Sequence, residues 1–284
     1  MNTGQPPTLA RCWHQLLTRA AAIAVCALVA VGCGSGATET SRRAQTPDHP
    51  AADPKICRVH HGRIVASRFN SQTFGRQRVR IYLPPGYQPG GKRRYPVLYL
   101  LHGAATDETQ WEDVGIGQGA DCLLAARLMP PTLLVLLDAG IAERRPNGAN
   151  EVERFVLQDV LPMIDRRFPT VADRQHRAIG GISLGGGWSL QIAADRPSRF
   201  SAVGGHSPAA TLTAAQRASL ARHRVRLWLD VGTHDGLRAR VADLAKTVQD
   251  VGGDVTLHVW AGSHDRRYWS HHVQDYLRFY TATW

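Results

Sequence analysis

The sequence contains little cysteine and no pattern that would hold a metal ion. Five cysteines occur in 284 residues, and three of them, Cys12, Cys26 and Cys33, lie close to the N-terminus. No CxxC pair, zinc-finger spacing or HExxH motif is present, so no metal site is predicted. The remaining cysteines, Cys57 and Cys122, would either pair in an oxidising compartment or stay as separate buried thiols.

The sequence also lacks a concentrated block of basic residues. Lysine and arginine outnumber aspartate and glutamate by 34 to 23, a formal net charge of +11, but the arginines are spread over the whole chain. A dedicated nucleic-acid-binding tail is therefore not predicted. Distributed positive charge predicts instead a basic surface with mild affinity for anionic lipids or polymers.

No apolar run is long enough to span a bilayer comfortably. Ala20–Val31 is uncharged and apolar, and it follows Arg11 and Arg19, which is typical of the apolar region of a signal peptide. The run ends in VAVGC, which resembles a bacterial lipobox, where the cysteine is lipidated and becomes the mature N-terminus. We expect residues 1–32 to be a lipoprotein-type signal peptide and Cys33 to carry a membrane anchor.

Composition divides the rest of the chain into two parts. Residues 33–54 are rich in Gly, Ser, Thr, Ala and Pro, cannot bury enough apolar surface to fold, and are expected to be a flexible tether. Residues 55–284 contain no internal repeat and have a length suited to one catalytic domain. These features predict an exported protein, either a cell-membrane lipoprotein or a secreted protein of the cell envelope.

Predicted strands and helices alternate along residues 55–284. Arg63–Asn70 and Gln77–Leu83 alternate apolar and polar residues, which predicts an antiparallel hairpin. Runs typical of strands buried on both faces follow at Pro96–Leu101, Thr132–Leu137, Arg177–Ile182, Ala202–Gly205, Val225–Val231 and Val255–Trp260. Helical periodicity is found at Gln118–Leu128, Val152–Ile164, Leu184–Ala194, Leu237–Val251 and Arg266–Tyr280. This alternation predicts an α/β fold with a mostly parallel sheet covered by helices on both faces.

Ser183 lies in the strongest chemical motif of the sequence. The strand Arg177–Ile182 leads into GISLG, a GxSxG pattern, and then directly into a helix. Gly181 and Gly185 permit a tight turn that raises the serine hydroxyl above the sheet edge. The free N–H groups of the new helix favour a developing oxyanion. No Lys-Ser or Lys-Thr follows the glycines, which excludes a phosphate-binding P-loop, so Ser183 is the predicted nucleophile.

Asp235 and His264 occupy the positions where a serine nucleophile needs partners. In α/β folds where the serine of a GxSxG turn is the nucleophile, the acid and then the base follow the serine along the chain, each on a loop after a strand. The strand Val225–Val231 ends in GTHDG, which contains Asp235, and the strand Val255–Trp260 ends in AGSHD, which contains His264. We predict His264 as the base and Asp235 as the acid that orients it.

Other polar residues near these motifs are weaker candidates for the two roles. Asp230 lies inside its strand, Asp265 is adjacent to the histidine, and His234 precedes Asp235 and would break the chain order. His102 follows the first buried strand and is predicted to support its loop. Trp111, Trp188 and Trp269 flank the motifs, either as pocket walls or as ordinary core residues.

Two backbone amides are predicted to form the oxyanion hole. Hydrolases of this class take one N–H from the residue after the nucleophile, which is Leu184, and another from the loop after the first central strand. That loop reads LHGAA and nominates the amide of Ala104, with Gly103 as the alternative.

The chain resembles the esterase D and feruloyl esterase branch of the α/β-hydrolases, which also holds the antigen 85-type mycolyltransferases. The resemblance covers nearly everything from about residue 60 onward and rests on YLLHGAATDETQW, VERFVLQDVLPMIDRRFP, RAIGGISLGGGWSLQIAADRPSRFSAVGGHSPA, DVGTHDGL and GSHDRRYWSHHVQDYLRFY. It implies the α/β-hydrolase fold, the triad Ser183, Asp235 and His264, and no metal or organic cofactor. Arg266 stands where many relatives have tryptophan, so the pocket beside His264 is expected to differ.

Three functions are compatible with these features. The first is a serine carboxylesterase that hydrolyses an ester of unknown identity. The second is an acyltransferase of the mycolyltransferase type that passes the acyl group to a sugar hydroxyl, although no acyl groove or sugar site is identifiable in the sequence. The third is a lipoprotein that binds envelope material without chemistry, which the intact set Ser183, Asp235 and His264 disfavours.

Overall fold

An eight-stranded sheet organises residues 61–284, the part of the chain that the computed structural model describes. The expected signal peptide 1–32, the tether 33–54, and the residues Cys33 and Cys57 lie outside it. The strands are β1 (Arg63–Ser71), β2 (Gly75–Leu83), β3 (Val97–Leu101), β4 (Leu133–Leu137), β5 (Arg177–Ile182), β6 (Ala202–His206), β7 (Arg226–Gly232) and β8 (Val255–Trp260).

The sheet is mostly parallel, with one antiparallel region at its β1 end. Its spatial order is β1-β2-β4-β3-β5-β6-β7-β8. β2 pairs antiparallel with both β1 and β4, whereas every other neighbouring pair is parallel. The carboxyl ends of β3 to β8 therefore meet at a single edge, where ligands of open α/β sheets bind.

Helices cover both faces of this sheet. They are α1 (Gln110–Asp113), α2 (Ile116–Ala125), α3 (Gly148–Arg154), α4 (Leu161–Arg167), α5 (Ser183–Asp195), α6 (Ala214–Arg222), α7 (Arg238–Gln249) and α8 (Arg266–Thr281). A 3-10 helix spans Gly140–Arg144, and a π-helical segment, Phe155–Val160, joins α3 to α4.

Alternate residues of each central strand supply two separate hydrophobic cores. Tyr99 of β3 packs in the core that α3 to α7 cover, and its neighbours Leu98 and Leu100 pack in the core under α1, α2 and α8. Successive side chains of a strand point to opposite faces, so a strand covered on both sides must be apolar throughout. Every residue of β3, β4, β5 and β6 is indeed buried.

The predicted fold class is therefore confirmed, and the differences concern local elements. The predicted helix Gln118–Leu128 begins at Ile116 and ends at Ala125. The helix α6 was not predicted. Its start is fixed by a capping box in which Thr213 and Gln216 each bond the other's backbone N–H. The π-helical segment was also missed, because it is a short insertion between two α-helices and the apolar pattern over Val152–Ile164 predicts one unbroken α-helix.

Two further observations concern the predictions about cysteine and the membrane. Cys122 is disulfide-bonded, while Cys57, the partner that the sequence leaves open, lies outside the described residues. None of the helices within residues 61–284 combines the length and the apolar character that a membrane crossing requires.

Candidate active site

Ser183 stands at the carboxyl edge of the sheet in a strained turn. It is the first residue of α5, directly after β5, and its φ is +52°. A left-handed conformation costs a residue with a side chain roughly 1–2 kcal/mol. A Cβ at Gly181 would lie 2.3 Å from the Gly185 carbonyl carbon, and one at Gly185 would lie 2.3 Å from the His102 carbonyl oxygen. Only glycine fits at both positions, so these residues permit the turn that raises Ser183.

The structure brings the side chains of the three predicted site residues together in one continuous chain of hydrogen bonds. The Ser183 hydroxyl donates to His264 Nε2 at 2.9 Å, and His264 Nδ1 donates to Asp235 Oδ2 at 2.8 Å. The second oxygen of Asp235 accepts the Leu237 amide at 2.8 Å, which fixes the carboxylate. With Nδ1–H held by the carboxylate, Nε2 carries the free lone pair that can take the serine proton.

Backbone contacts hold the acid and base loops against each other. The Thr233 amide donates to the Trp260 carbonyl, and the His234 amide donates to the Gly262 carbonyl, both at 2.8 Å. A Cβ at Gly232 would lie 2.4 Å from that same Gly262 oxygen. The glycine that ends β7 and the glycine in the AGSHD loop therefore let the two loops approach closely enough for the histidine–aspartate bond.

The loop after β3 has acceptors for the amides on both sides of Ala104. The Gly103 amide donates to Gln110 Oε1 at 2.7 Å, and the Ala105 amide donates to the Glu143 carboxylate at 3.0 Å. Ala104 lies between them, is exposed, and its amide has no acceptor within residues 61–284. Of the two alternatives left by the sequence, this geometry favours Ala104 over Gly103. An oxyanion role for Ala104 and Leu184 stays a prediction.

His102 has the supporting position that was predicted for it. It is almost completely buried, its Nδ1 donates to the Gly103 carbonyl at 2.7 Å, and its Nε2 accepts the Ala139 amide at 3.0 Å. These two bonds define a neutral ring with the proton on Nδ1. The imidazole thus ties the loop after β3 to the loop after β4.

Several residues that shape this loop were missed at the sequence level. Arg78 of β2 lies 3.2 Å from Glu108, 3.3 Å from Asp138 and 3.5 Å from Asp107. Burial raises the pKa of the Glu108 carboxyl, and the positive charge of Arg78 opposes that shift. Neither this cluster nor the contact of Glu143 with Ala105 has a sequence signature, because each joins residues from distant parts of the chain.

The three tryptophans differ in their contacts. Trp111 is fully buried and donates its Nε1–H to the Leu101 carbonyl at 3.0 Å, and Trp188 packs in the core under α5. Trp269 alone of the three meets a predicted site residue, with its ring edge-to-face against His264 at 5.1 Å. All three are buried in the hydrophobic cores, as the core interpretation expects, and Trp269 in addition lies beside the candidate base.

A second histidine–aspartate pair lies inside the sheet, one strand away. His206 ends β6 directly opposite Asp230 of β7, and His206 Nδ1 lies 2.7 Å from Asp230 Oδ1. The other ring nitrogen of His206 accepts from the Tyr280 hydroxyl at 3.0 Å. Asp230 is thus the partner of a buried histidine and does not reach His264. Elsewhere in residues 61–284, no group of three histidine, cysteine, aspartate or glutamate side chains is placed to hold a metal ion.

Comparisons with known proteins identify the family to which the chain is similar. A family model described as "Putative esterase" matches residues 71–280. An endo-1,4-beta-xylanase/feruloyl esterase of Xylanibacter ruminicola is 35% identical over 153 residues, which cover 50% of this chain and 21% of that protein. Esterase Rv1288 of Mycobacterium tuberculosis is 34% identical over 154 residues, 51% of this chain and 32% of that protein. The chain thus spans a third or less of the length of these relatives.

Solved structures share the fold at lower sequence identity. A ferulic acid esterase has a TM-score of 0.71 at 24% identity, covering 79% of this chain and 99% of that one. The S-formylglutathione hydrolase of Staphylococcus aureus has a TM-score of 0.65 at 16% identity, covering 78% and 97% respectively. At these identities the likeness establishes the α/β-hydrolase fold.

Proposed function

This chain belongs to the family described as "Putative esterase", whose model matches residues 71–280. From this premise we propose that it is an exported serine carboxylesterase that hydrolyses acyl esters through an acyl-enzyme on Ser183. The observation that carries the proposal is the continuous line from the Ser183 hydroxyl through His264 to Asp235, with bonds of 2.9 and 2.8 Å. A serine hydroxyl is a weak nucleophile by itself and needs a base held in the correct tautomer.

Acylation begins when Ser183 Oγ attacks the carbonyl carbon of the ester. The serine proton moves to His264 Nε2, and Asp235 stabilises the imidazolium that forms. Negative charge then develops on the carbonyl oxygen, where the amides of Ala104 and Leu184 donate hydrogen bonds. Collapse of the tetrahedral intermediate breaks the bond to the alcohol oxygen, which takes the proton from His264 and leaves.

Deacylation repeats the same steps with water as the nucleophile. His264 removes a proton from the water as its oxygen attacks the acyl carbon, and the proton returns to Ser183 Oγ when the acid departs. The half-exposed position of His264 suits this step, since water must reach Nε2. Every proton transfer in the cycle uses side chains of this chain, so the proposal requires neither a metal nor an organic cofactor.

The first experiment compares wild type, Ser183→Ala and Ser270→Ala on p-nitrophenyl esters of increasing acyl length and on a feruloyl ester, since relatives are named for feruloyl esters. Ser270 is exposed on α8 and serves as the matched serine control. Loss of Ser183 should lower the rate of the chemical step by about 10⁶, the effect of removing a triad serine in a protease. Ser270→Ala should hydrolyse the esters and react with a fluorophosphonate probe like wild type.

Each other outcome has a defined meaning. Equal activity of wild type and Ser183→Ala would remove Ser183 from the mechanism. Formation of a new ester when a sugar is added, at the expense of free acid, would identify an acyltransferase with the same acyl-enzyme. A folded wild type that neither hydrolyses an ester nor reacts with the probe would leave the non-catalytic envelope lipoprotein.

Export and a lipid anchor at Cys33 form the second part of the proposal. Their support is the sequence alone, the apolar run Ala20–Val31 followed by a lipobox-like VAVGC. Expression in a bacterial host with an alkyne-tagged fatty acid tests it. We expect labelled protein in the membrane fraction, and a soluble, unlabelled product for Cys33→Ala. Labelling that survives Cys33→Ala, or retention of wild type in the cytoplasm, would contradict this part without affecting the esterase test.

A further inference from the structure

An open, arginine-lined cavity adjoins the loop that carries the candidate oxyanion amide. Its volume is about 590 Å³, and its wall includes Ala105 and Thr106 of that loop together with the 3-10 helix Gly140–Arg144. The opposite wall is the β1–β2 hairpin, which contributes Arg68 and Arg76. Nothing in the proposed acylation chemistry uses this cavity.

The chain direction of β2 explains why the cavity lies at the catalytic edge. β2 runs antiparallel to β4, with Val79 opposite Leu137. The start of β2 therefore lies at the edge where β4 and β5 end. Neighbouring strands are about 4.8 Å apart. Three strand steps separate β2, which carries Arg76, from β5, so the hairpin wall of the cavity lies roughly 14 Å from the strand end that presents Ser183.

Arginine side chains that line the cavity share one face of this hairpin. Arg76 and Arg78 are two residues apart on β2, and Arg68 of β1 is the direct cross-strand partner of Arg78. Asp107 and Asp138 also line the cavity, and both pair with Arg78, which offsets its repulsion of Arg68. The charges of Arg68 and Arg76 are the ones that a ligand would meet.

Of the three hairpin arginines that line the cavity, only Arg78 has its charge balanced within the described part of the chain, and Arg80, which is outside the cavity lining, pairs with Glu112. Arg78 meets the carboxylates of Glu108, Asp138 and Asp107. Arg68, Arg76 and Arg144, which also line the cavity, form no ion pair with any carboxylate of residues 61–284, and all three are exposed. Their guanidinium groups are therefore available to a ligand.

Glu143 sets which part of the cavity can accept negative charge. Its carboxylate accepts the Ala105 amide at the side of the cavity nearest the oxyanion loop. It would repel an anion placed there and leave the arginine side as the favourable position. An anionic group is therefore expected beside the hairpin, at a distance from the ester carbonyl.

We propose that this cavity is a specificity subsite for an anionic group of the ester substrate, a carboxylate or a phosphate, attached roughly 14 Å from the ester carbonyl. Guanidinium groups bind both anions through paired, charge-assisted hydrogen bonds. The inference rests on the proposed esterase function and adds to it the charge of the substrate and the position of that charge.

The test compares matched esters that differ only in the distal group. On the acyl side, the mono-p-nitrophenyl ester of dodecanedioic acid is compared with its methyl-capped neutral counterpart. On the alcohol side, acetate esters of 12-hydroxydodecanoate, its neutral amide and 12-hydroxydodecyl phosphate are followed by acid release. We expect the wild-type full chain to favour an anionic ester about tenfold in kcat/KM in at least one series. That preference should shrink as salt is added. The better of the two anions identifies the group that the subsite takes.

Two double variants with the same change in net charge separate the subsite from general surface charge. Arg68→Gln/Arg76→Gln should abolish the preference for the anionic ester. Lys92→Gln/Arg93→Gln removes two exposed positive charges from the connection between β2 and β3, at the opposite edge of the sheet, and should retain the preference. Arg68 and Arg76 are exposed and form no ion pair with a carboxylate of residues 61–284, so their replacement should not lower the melting temperature, which checks that the first variant folds.

The outcomes distinguish the inference from the function on which it rests. Equal hydrolysis of anionic and neutral esters in both series would overturn the subsite while leaving the esterase proposal intact. An identical loss of preference in both double variants would also overturn it, because the effect would then belong to overall charge. Failure of folded wild type to hydrolyse any ester would refute the esterase proposal, and the subsite with it.

Discussion

Two histidine–aspartate pairs lie at the ends of neighbouring strands, and the hydrogen bonds between histidine and aspartate have nearly the same length. His264 Nδ1 lies 2.8 Å from Asp235, and His206 Nδ1 lies 2.7 Å from Asp230. They differ in what meets the other ring nitrogen. For His264 it is the hydroxyl of Ser183, and for His206 it is the hydroxyl of Tyr280.

Solvent access separates the two pairs further. The side chain of His264 is 34% exposed, whereas the side chains of both His206 and Asp230 are 0% exposed. Asp230 also accepts from Trp228 Nε1 at 2.7 Å and from the Tyr276 hydroxyl at 3.1 Å. The buried pair is thus saturated with partners from β6, β7 and α8.

Two things therefore decide what a histidine–aspartate pair can do: the group bonded to the other ring nitrogen of the histidine, and whether a substrate can reach the pair. Burial holds the pKa of Tyr276 and of Tyr280 well above the usual range, so both phenols keep their protons as donors. No substrate carbonyl can reach His206. We therefore expect the exposed pair to govern catalysis and the buried pair to govern stability.

His264→Ala is expected to have the largest effect. Without a base, Ser183 cannot lose its proton during attack, and kcat/KM on a p-nitrophenyl ester should fall by about 10⁶. Thermal stability should change little, since the side chain is partly exposed. His234→Ala, which removes an exposed histidine of the neighbouring loop, is the control and should retain activity. Inactivation by His234→Ala with His264→Ala active would reverse the assignment.

Asp235→Asn should have the next largest effect. The amide preserves the shape but favours the wrong histidine tautomer, so kcat/KM should fall by about 10⁴. Asp265→Asn is the matched control. Asp265 caps α8 by accepting the Tyr268 amide at 2.9 Å, and asparagine caps equally well. Steady-state kinetics of both variants test this assignment. A larger fall in kcat/KM for Asp265→Asn than for Asp235→Asn would contradict it.

His206→Ala is expected to affect folding rather than turnover. It removes one of the three side chains that bond the buried Asp230 carboxylate and leaves only Trp228 and Tyr276, and breaking a buried pair costs about 3–5 kcal/mol of unfolding free energy. Urea unfolding measures that loss, and the folded fraction should still hydrolyse ester. If His206→Ala instead abolished turnover at unchanged stability, the division of roles between the two pairs would be wrong.

Tyr280→Phe should produce the smallest of these changes. It deprives His206 Nε2 of its donor in a fully buried position, at a cost of about 1–3 kcal/mol in unfolding free energy. Tyr99→Phe is the comparison, because the Tyr99 hydroxyl is buried and makes no hydrogen bond within residues 61–284. In denaturant melts, Tyr99→Phe should leave the unfolding free energy almost unchanged. An equal loss of unfolding free energy in both variants would mean that the Tyr280 hydroxyl does not stabilise the His206–Asp230 pair.

The strand pattern and the serine motif could be predicted because each depends on neighbouring residues. The apolar run Arg177–Ile182 predicted a buried strand, and the glycines around Ser183 predicted the turn that follows it. Asp235 and His264 could be predicted because chain order in this fold follows the order of strand ends. Their roles in catalysis stay predictions until the variants are measured.

The remaining features depend on contacts between distant residues. The choice between Gly103 and Ala104 follows from the contacts of Gln110 and Glu143, which are 7 and 38 residues away from the amides they bind. The bond between Ser71 and Asp159 spans 88 residues. No local pattern encodes such pairs, because many polar residues are equally able to make them.

The sequence by itself therefore determined the alternation of strands and helices, the strained serine turn and the three residues expected to act together. Those properties follow from periodicity, glycine sterics and chain order, which are local or ordered along the chain. Only the tertiary structure decided how far each histidine–aspartate pair is buried, which of Gly103 and Ala104 has its amide engaged, and where arginines gather beside the site. Those properties depend on burial and on distances between remote side chains, which exist only once the sheet has assembled.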